Sequence, residues 1–189
     1  MHCCLQEKKA FNKFYGLVIE KLIRDNVQSY RYSFKYTLWD YLKGIKNLEL
    51  RQISNLAKLT AMLVLSQSIP IHFLKVIDFD SDQADDTKVL SSDQSVSVFL
   101  QIVFETLFEG VSVKNKEIIM NLFSTGIFQA GNPEFSQGIS DYILTTFYSR
   151  VKKRYGQIPA ELQAKLRVAF DAIKKQKENA FVENSLRER

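Results

Sequence analysis

The stretch His2-Cys3-Cys4-Leu5-Gln6-Glu7-Lys8 is followed closely by Phe11-Asn12-Lys13-Phe14-Tyr15, and together they predict the end of one helix and the start of the next. From there, apolar side chains recur at intervals of four, three and four residues. This spacing places them on one face of a helix over 11–24, which we expect to be buried against other helices. The side chains on or beside this face are Phe11, Phe14, Tyr15, Leu17, Val18 and Leu22.

The composition favours one all-α fold. Of the 189 residues, 46% are hydrophobic, which is enough for one core and excludes a fully disordered chain. Seven glycines and three prolines are too few for the frequent turns of an all-β protein. Hydrophobic periodicity predicts about eight helices, with a globular bundle or a stack of helix pairs as the two architectures. These helices are expected over 11–24, 32–42, 50–65, 71–79, 96–108, 115–127, 132–155 and 159–174.

The sequence offers neither a disulfide framework nor a metal site. Cys3 and Cys4 are adjacent, so on a helix they point about 100° apart, and no second pair of cysteines exists. A zinc site needs about four ligands, but His2 crowds the same turn and His72 stands alone in sequence. We therefore expect two buried thiols in a reducing compartment and no cofactor. No apolar run reaches the roughly 18 residues needed to span a bilayer, so we expect a soluble intracellular chain without a membrane partner.

Catalytic constellations are absent from the sequence. It contains no glycine-rich phosphate loop, no nucleophile elbow and no helix with two metal-binding histidines. Two histidines in the whole chain leave little for general acid–base chemistry. We predict no catalytic residue, no small-molecule substrate and no enzymatic activity.

An acidic, serine-rich segment over 80–93 predicts a flexible loop that is dispensable for folding. Asp78, Asp80 and Asp82 match positions 1, 3 and 5 of a calcium-binding loop. Gln83 stands where such a loop needs glycine, and Val89 stands where it needs a bidentate glutamate. The segment is therefore interpreted as a solvated loop without calcium.

Positive charge is concentrated at the C-terminal end of the chain. Residues 1–149 hold 15 basic and 16 acidic side chains, whereas 150–189 hold 11 and 5, which gives net charges of −1 and +6. The string Arg150-Val151-Lys152-Lys153-Arg154 has two interpretations, because cations at a helix C-terminus stabilise its dipole and also attract phosphates. The candidate contacts with RNA or a partner are Arg150, Lys152, Lys153 and Arg154.

Aromatic side chains on the second predicted helix also have two interpretations. Three tyrosines and two cations there could form a strip on which nucleic-acid bases stack. Their spacing instead sets Tyr32 and Tyr36 beside apolar packing positions, which favours burial in or at the edge of the core. Apolar stripes likewise predict that Trp39 and Phe123 are buried. The residues of the alternative strip are Tyr30, Arg31, Tyr32, Lys35 and Tyr36.

Three strings of the sequence resemble a known family. They are residues 2–8, Ile53-Ser54-Asn55-Leu56-Ala57-Lys58-Leu59 and Phe73-Leu74-Lys75-Val76-Ile77-Asp78-Phe79. All three are similar to the MA-3 type of HEAT-like helical domain, and most to the copy in nucleolar proteins that also carry the middle domain of initiation factor 4G. The resemblance covers residues 2 to about 168, and it implies a stack of antiparallel helix pairs.

The resemblance also implies a function. Similar strings mark a nucleolar branch of ribosome-biogenesis scaffolds and a spliceosomal scaffold, and the strings over 55–59 and 75–79 look more like the nucleolar branch. In that branch the middle domain docks a DEAD-box RNA helicase of the initiation factor 4A class. We therefore expect a non-enzymatic scaffold in the nucleus and nucleolus that acts in 18S ribosomal RNA maturation, with pre-ribosomal RNA or particles as further partners. The alternatives are a pre-mRNA splicing scaffold and an RNA-binding module that uses the basic C-terminal helices.

The sequence departs from the family at its start. In relatives the Cys-Cys string lies near the end of the second helix of the domain, whereas here only Met1 and His2 precede it. We therefore expect a fragment of a larger protein from which the first helix pair and the middle domain are missing. The expected organisation is an MA-3-like domain over 1–175 and a basic, polar tail over 176–189 that frays.

Overall fold

A computed structural model describes residues 1–79, 89–90, 92–112, 115–124 and 133–187 of the chain, the last twelve of them as backbone only. The described chain divides into two compact units, Met1–Gly110 and Val111–Arg189. Helices make up nearly all of its regular structure, so the predicted all-α class is confirmed.

Five α-helices form the first unit. Asn26 both ends the second helix and begins the third, because its side-chain oxygen accepts a hydrogen bond from Ser29 N at 3.4 Å. The third helix therefore starts well before the predicted residue 32. The segment predicted as a helix over 71–79 is a 3₁₀ helix, Ile71–Val76, followed by a short parallel strand pair, β1 (Ile77–Asp78) with β2 (Val89–Leu90). The helices are α1 (His2–Leu5), α2 (Lys13–Asp25), α3 (Val27–Lys43), α4 (Leu50–Leu65) and α5 (Gln94–Gly110).

Helix α4 is the centre of this unit. Apolar side chains around most of its circumference are buried, as predicted for an inner helix, and it packs against α5. At the end of α5, a Cβ on Gly110 would stand 2.5 Å from Leu65 Cδ1, so the two helices meet where only glycine fits without displacing Leu65. The fully buried apolar side chains of the pair include Leu56, Leu59, Leu63, Phe99, Val103 and Phe104.

The predicted buried face of α2 is wrong. Phe14 and Leu17 are 61% and 56% exposed, and Val18 and Leu22 are exposed as well. The buried face instead contains Gly16 and Ile23. A Cβ on Gly16 would collide with the side chain of Met62 on α4, so α2 approaches α4 closely through its smallest residue. This approach turns the larger side chains away from the core.

A buried amide joins the N-terminal turn to α4. Asn55 is 3% exposed, and its Nδ2 donates hydrogen bonds to the carbonyl oxygens of Cys4 and Glu7, both at 3.2 Å. Arg51 Nη1 also donates to the Glu7 carbonyl at 3.2 Å. These donors add hydrogen bonds to backbone carbonyls at and just beyond the end of α1, where the Cys4 carbonyl also accepts from Glu7 N at 3.3 Å. Leu5 and Cys4 are buried beside them.

The remaining helices within the described residues belong to the second unit. They are α6 (Lys116–Phe123), α7 (Pro133–Asp141), a π-helical segment (Tyr142–Phe147), α8 (Tyr148–Tyr155) and α9 (Ala160–Arg187). Elements α7 to α8 form the continuous helix predicted over 132–155. Helix α6 packs against α9, and Phe123 is buried as predicted, whereas the end of the helix predicted over 115–127 lies outside the described residues.

The backbone of α9 is helical to Arg187, although the sequence predicts that the helix frays within 176–189. Loss of the apolar face does not end it, because lysine, glutamine, glutamate and alanine are good helix formers without tertiary contacts. Most of the acidic loop predicted over 80–93, including Asp80 and Asp82, lies outside the described residues.

We predict that Asn55→Ala lowers the free energy of unfolding by about 1–3 kcal/mol, because two buried or half-buried carbonyls lose a donor. Urea denaturation followed by circular dichroism measures the change. Asn47→Ala, at an exposed residue of the 3₁₀ turn Ile45–Asn47, is the matched control and should change stability little. Equal stabilities of the two variants would remove the role assigned to the Asn55 amide.

A second prediction concerns the core of the second unit. Phe123→Ala should cost about 3–5 kcal/mol, since a buried aromatic ring is replaced by a cavity. Met120→Ala on the same helix is the control, because Met120 is exposed. Equal melting temperatures of the two variants would contradict the packing of α6 described above.

Candidate functional site

The four basic residues predicted as contacts lie on α8. Val151, in their midst, is fully buried, and it orients the helix so that Lys152, Lys153 and Arg154 are exposed while Arg150 is half-buried. They occupy the end of the helix, where cations stabilise the helix dipole. Their contact with RNA or a partner stays a prediction.

A second basic surface lies on α3, where the predicted burial of the tyrosines is wrong. Tyr32 and Tyr36 are both 55% exposed, and Tyr30 is exposed too. The buried stripe of α3 is formed by Phe34, Leu38 and Leu42. Because residues at a spacing of four share a helix face, this inner stripe leaves Tyr32 and Tyr36 on the outside.

Lys35 lies at the centre of the exposed rings. Its Nζ is 4.4 Å from the ring centre of Trp39, 5.3 Å from that of Tyr36 and 5.9 Å from that of Tyr32. Tyr36 and Trp39 make an edge-to-face pair with centres 5.8 Å apart. Distances below about 6 Å are those at which cation–π attraction operates, so Lys35 holds the three rings together.

Trp39 connects α3 to the segment Ile71–Val76. Its Nε1–H donates a hydrogen bond of 2.7 Å to the carbonyl oxygen of Phe73, and Lys75 Nζ lies 6.0 Å from its ring centre. Trp39 is therefore partly exposed and bonded at the edge of the core, which corrects its predicted full burial. Arg31 Nε makes a parallel connection by donating to Ser68 O at 3.0 Å. These bonds fix the position of the indole.

Positive charge accumulates around this indole. Burial and the nearby Lys75 lower the pKa of Lys35, which indicates that the two ammonium groups repel each other. Burial, together with Lys75, Lys35 and Arg31, also lowers the pKa of His72, so its imidazole is neutral at pH 7. We name the set Tyr32, Lys35, Tyr36, Trp39 and Lys75 the cationic-aromatic surface.

The described residues hold no group of three or more metal-ligating side chains. Two of the aspartates compared with a calcium loop, Asp80 and Asp82, lie outside those residues. Cys3 is exposed and Cys4 is buried, so the prediction of two buried thiols holds for Cys4 and is wrong for Cys3. Among the described helices, none is both long and apolar enough to cross a membrane.

Comparison with known proteins assigns the N-terminal part of the chain. Residues 1–70 match the family model of the MA3 domain. This part of the chain is similar to the MA3 family. The resemblance predicted from the sequence is thereby confirmed, and the matched segment includes α1 to α4 with both the exposed face of α2 and most of the cationic-aromatic surface.

The relatives include one named as nucleolar and one named as a splicing factor. Nucleolar MIF4G domain-containing protein 1 of Mus musculus is 37% identical over 79 residues, which cover 42% of this chain and 9% of that protein. Suppressor of glycerol defect protein 1 of Schizosaccharomyces pombe is 30% identical over 118 residues, which cover 57% of this chain and 14% of that protein. The pre-mRNA-splicing factor CWC22 homolog of Gallus gallus is 26% identical over 138 residues, which cover 70% of this chain and 14% of that protein.

The chain thus spans a small part of the length of these relatives. MA3 domains are protein-interaction modules, and no enzyme family is indicated. The motif strings detected the family, but they did not locate the surfaces. The sequence did contain a signal for the cationic-aromatic surface, namely tyrosines close to Arg31 and Lys35 on one predicted helix. That signal was missed because the tyrosines were assigned to the buried side of the helix.

The two cysteines should differ in reactivity. Burial raises the pKa of Cys4 to about 11, so almost none of it is thiolate at pH 8, whereas Cys3 is exposed. We expect iodoacetamide at pH 8 to alkylate Cys3 in the native protein and Cys4 only after denaturation, as read by peptide mass spectrometry. Equal native alkylation of both would contradict the packing of α1.

Proposed function

We propose that this chain is a non-enzymatic scaffold domain of a nucleolar factor for small-subunit (18S) ribosomal RNA maturation. In this proposal the protein acts with a DEAD-box RNA helicase of the initiation factor 4A class and works in the nucleolus. Support comes from the MA3 match over residues 1–70 and from the higher identity to a relative named as nucleolar than to those named as splicing factors.

The exposed apolar face of α2 carries the proposal. Phe14, Leu17 and Val18 stand in solvent on a helix whose opposite side is packed against α4. Contiguous exposed apolar side chains of this size mark protein–protein contact sites in folded proteins. A groove of about 160 Å³ on the same helix, lined by Leu22, Ile19 and Phe34 among others, adds apolar surface for a partner side chain. Such a surface binds a protein and offers no catalytic group.

A second candidate function is direct RNA contact through α8. The exposure of Lys152, Lys153 and Arg154 favours it, since phosphates are attracted by exposed cations. Without an exposed ring in the set of four, this contact would be non-specific. Splicing remains the alternative pathway, supported by the relatives at lower identity.

The proposal predicts which molecules co-purify with the natural protein from its own cells. We expect precursors of 18S ribosomal RNA and a helicase of the initiation factor 4A class, measured by RNA sequencing and mass spectrometry. Small nuclear RNAs and splicing proteins in their place would replace the proposal by the splicing alternative.

The same purification tests the surface. Phe14→Ser with Leu17→Ser should reduce at least one co-purifying protein by about tenfold or more, because central apolar anchors of an interface are each worth about 2 kcal/mol. Leu50→Ser is the matched control, since Leu50 is an exposed leucine at the start of α4. Equal recovery with both variants would mean that partners bind elsewhere.

A further inference from the structure

The cationic-aromatic surface combines two features on one helix face. Tyr32, Lys35, Tyr36 and Trp39 stand at i, i+3, i+4 and i+7 of α3, a spacing that aligns them along one side of the helix. Lys75 reaches the same indole from the segment Ile71–Val76. The surface is therefore assembled from two elements and is held in place by the hydrogen bond between Trp39 and Phe73.

The cations of this surface lack carboxylate partners. Across the part of the chain that the structure describes, no ion pair joins Lys35 or Lys75 to an acidic side chain. Asp40 is the one carboxylate of α3, and it is exposed without pairing to either lysine. Among the described residues, Lys35 and Lys75 thus have no acidic partner, and burial together with the charge of Lys75 lowers the pKa of Lys35. An anion bound near both ammonium groups would reduce the electrostatic repulsion between them.

The rings beside the cations are accessible. Tyr32 and Tyr36 have more than half of their surface exposed, and each lies within 6 Å of Lys35 Nζ, measured to the ring centre. Exposed aromatic rings next to cations are the pattern that proteins use for single-stranded nucleic acid, because bases stack on the rings while the cations neutralise phosphates. An acidic peptide would use the lysines and leave the tyrosine faces without a function.

We propose that the cationic-aromatic surface binds single-stranded RNA, with Lys35 and Lys75 on the phosphates and Tyr32 and Tyr36 as stacking positions for bases. The surface is separate from the exposed apolar face of α2, so this inference stands whether or not the protein partners proposed above are correct. It also differs from α8, where the basic set contains no ring.

Trp39 provides the measurement, because it is the single tryptophan of the chain and lies within this surface. An oligouridine of about 12 nucleotides, which matches the site size of a single-strand binder, is titrated into the 189-residue chain while indole fluorescence is recorded. We expect saturable quenching whose affinity falls steeply with salt. A duplex of the same length should bind more weakly, since its bases are not free to stack.

Two double variants separate charge from stacking. Lys35→Gln with Lys75→Gln should reduce the magnitude of the slope of log affinity against log salt by about 1.4, as expected for two phosphates of a single strand. Tyr32→Ala with Tyr36→Ala should weaken binding about 5- to 150-fold for each base that loses its ring. Tyr32→Phe with Tyr36→Phe keeps the rings and should bind like the natural chain.

The matched control removes the same charge elsewhere. Lys8→Gln with Lys9→Gln, at two exposed lysines that precede α2, should leave the affinity read from Trp39 within about threefold, because screened charges outside the site contribute little. The proposal is overturned if this control loses as much affinity as the Lys35 and Lys75 variant. It is also overturned if oligoglutamate quenches as strongly as oligouridine, or if the alanine variants bind RNA unchanged. Circular dichroism confirms that each variant is folded before its RNA affinity is compared with that of the natural chain.

Discussion

The two hydrogen bonds from the Asn55 amide are the constraint on which the first unit depends. They join the carbonyls of Cys4 and Glu7 to the middle of α4, the helix that is buried on most of its surface. A buried amide with both bonds made is favourable, whereas an apolar residue at this position would remove one of the two donors to each carbonyl, since Glu7 N also donates to Cys4 O and Arg51 to Glu7 O. The string over 2–8 and the string over 53–59 therefore meet in the structure, the first through its backbone carbonyls and the second through the Asn55 amide.

The sequence predicted the helices better than their faces. Periodicity located α4, α5 and the long helix from α7 to α8, which was expected over 132–155. The face of α2 was wrong because apolar side chains lie around much of that helix, and Gly16 decided which side approaches Met62. A close approach between two distant residues has no signature in a local pattern.

The surfaces were harder to predict for the same reason. The basic residues of α8 are contiguous in sequence, so they stand out as a candidate before the fold is known, but Lys75 joins Trp39 and Lys35 only through the fold. The tyrosines of α3 were placed in or at the edge of the core because they lie beside apolar packing positions in the sequence, whereas the structure leaves them exposed. Exposed rings beside cations and exposed apolar residues on α2 give the MA3 segment two chemically different faces, one suited to nucleic acid and the other to protein.

The π-helical segment Tyr142–Phe147 explains an unusual pattern in the second unit. Buried side chains recur there at a strict spacing of four, whereas an α-helix turns once in 3.6 residues, so a spacing of four should drift steadily around it. A wider turn in the middle of the run offsets much of that drift. A helix of this kind can gain or lose a residue at the wide turn while both of its ends stay packed. The wide turn is therefore a position at which chains of related fold can differ in length. The buried residues of the run are Phe135, Ile139, Ile143, Phe147 and Val151.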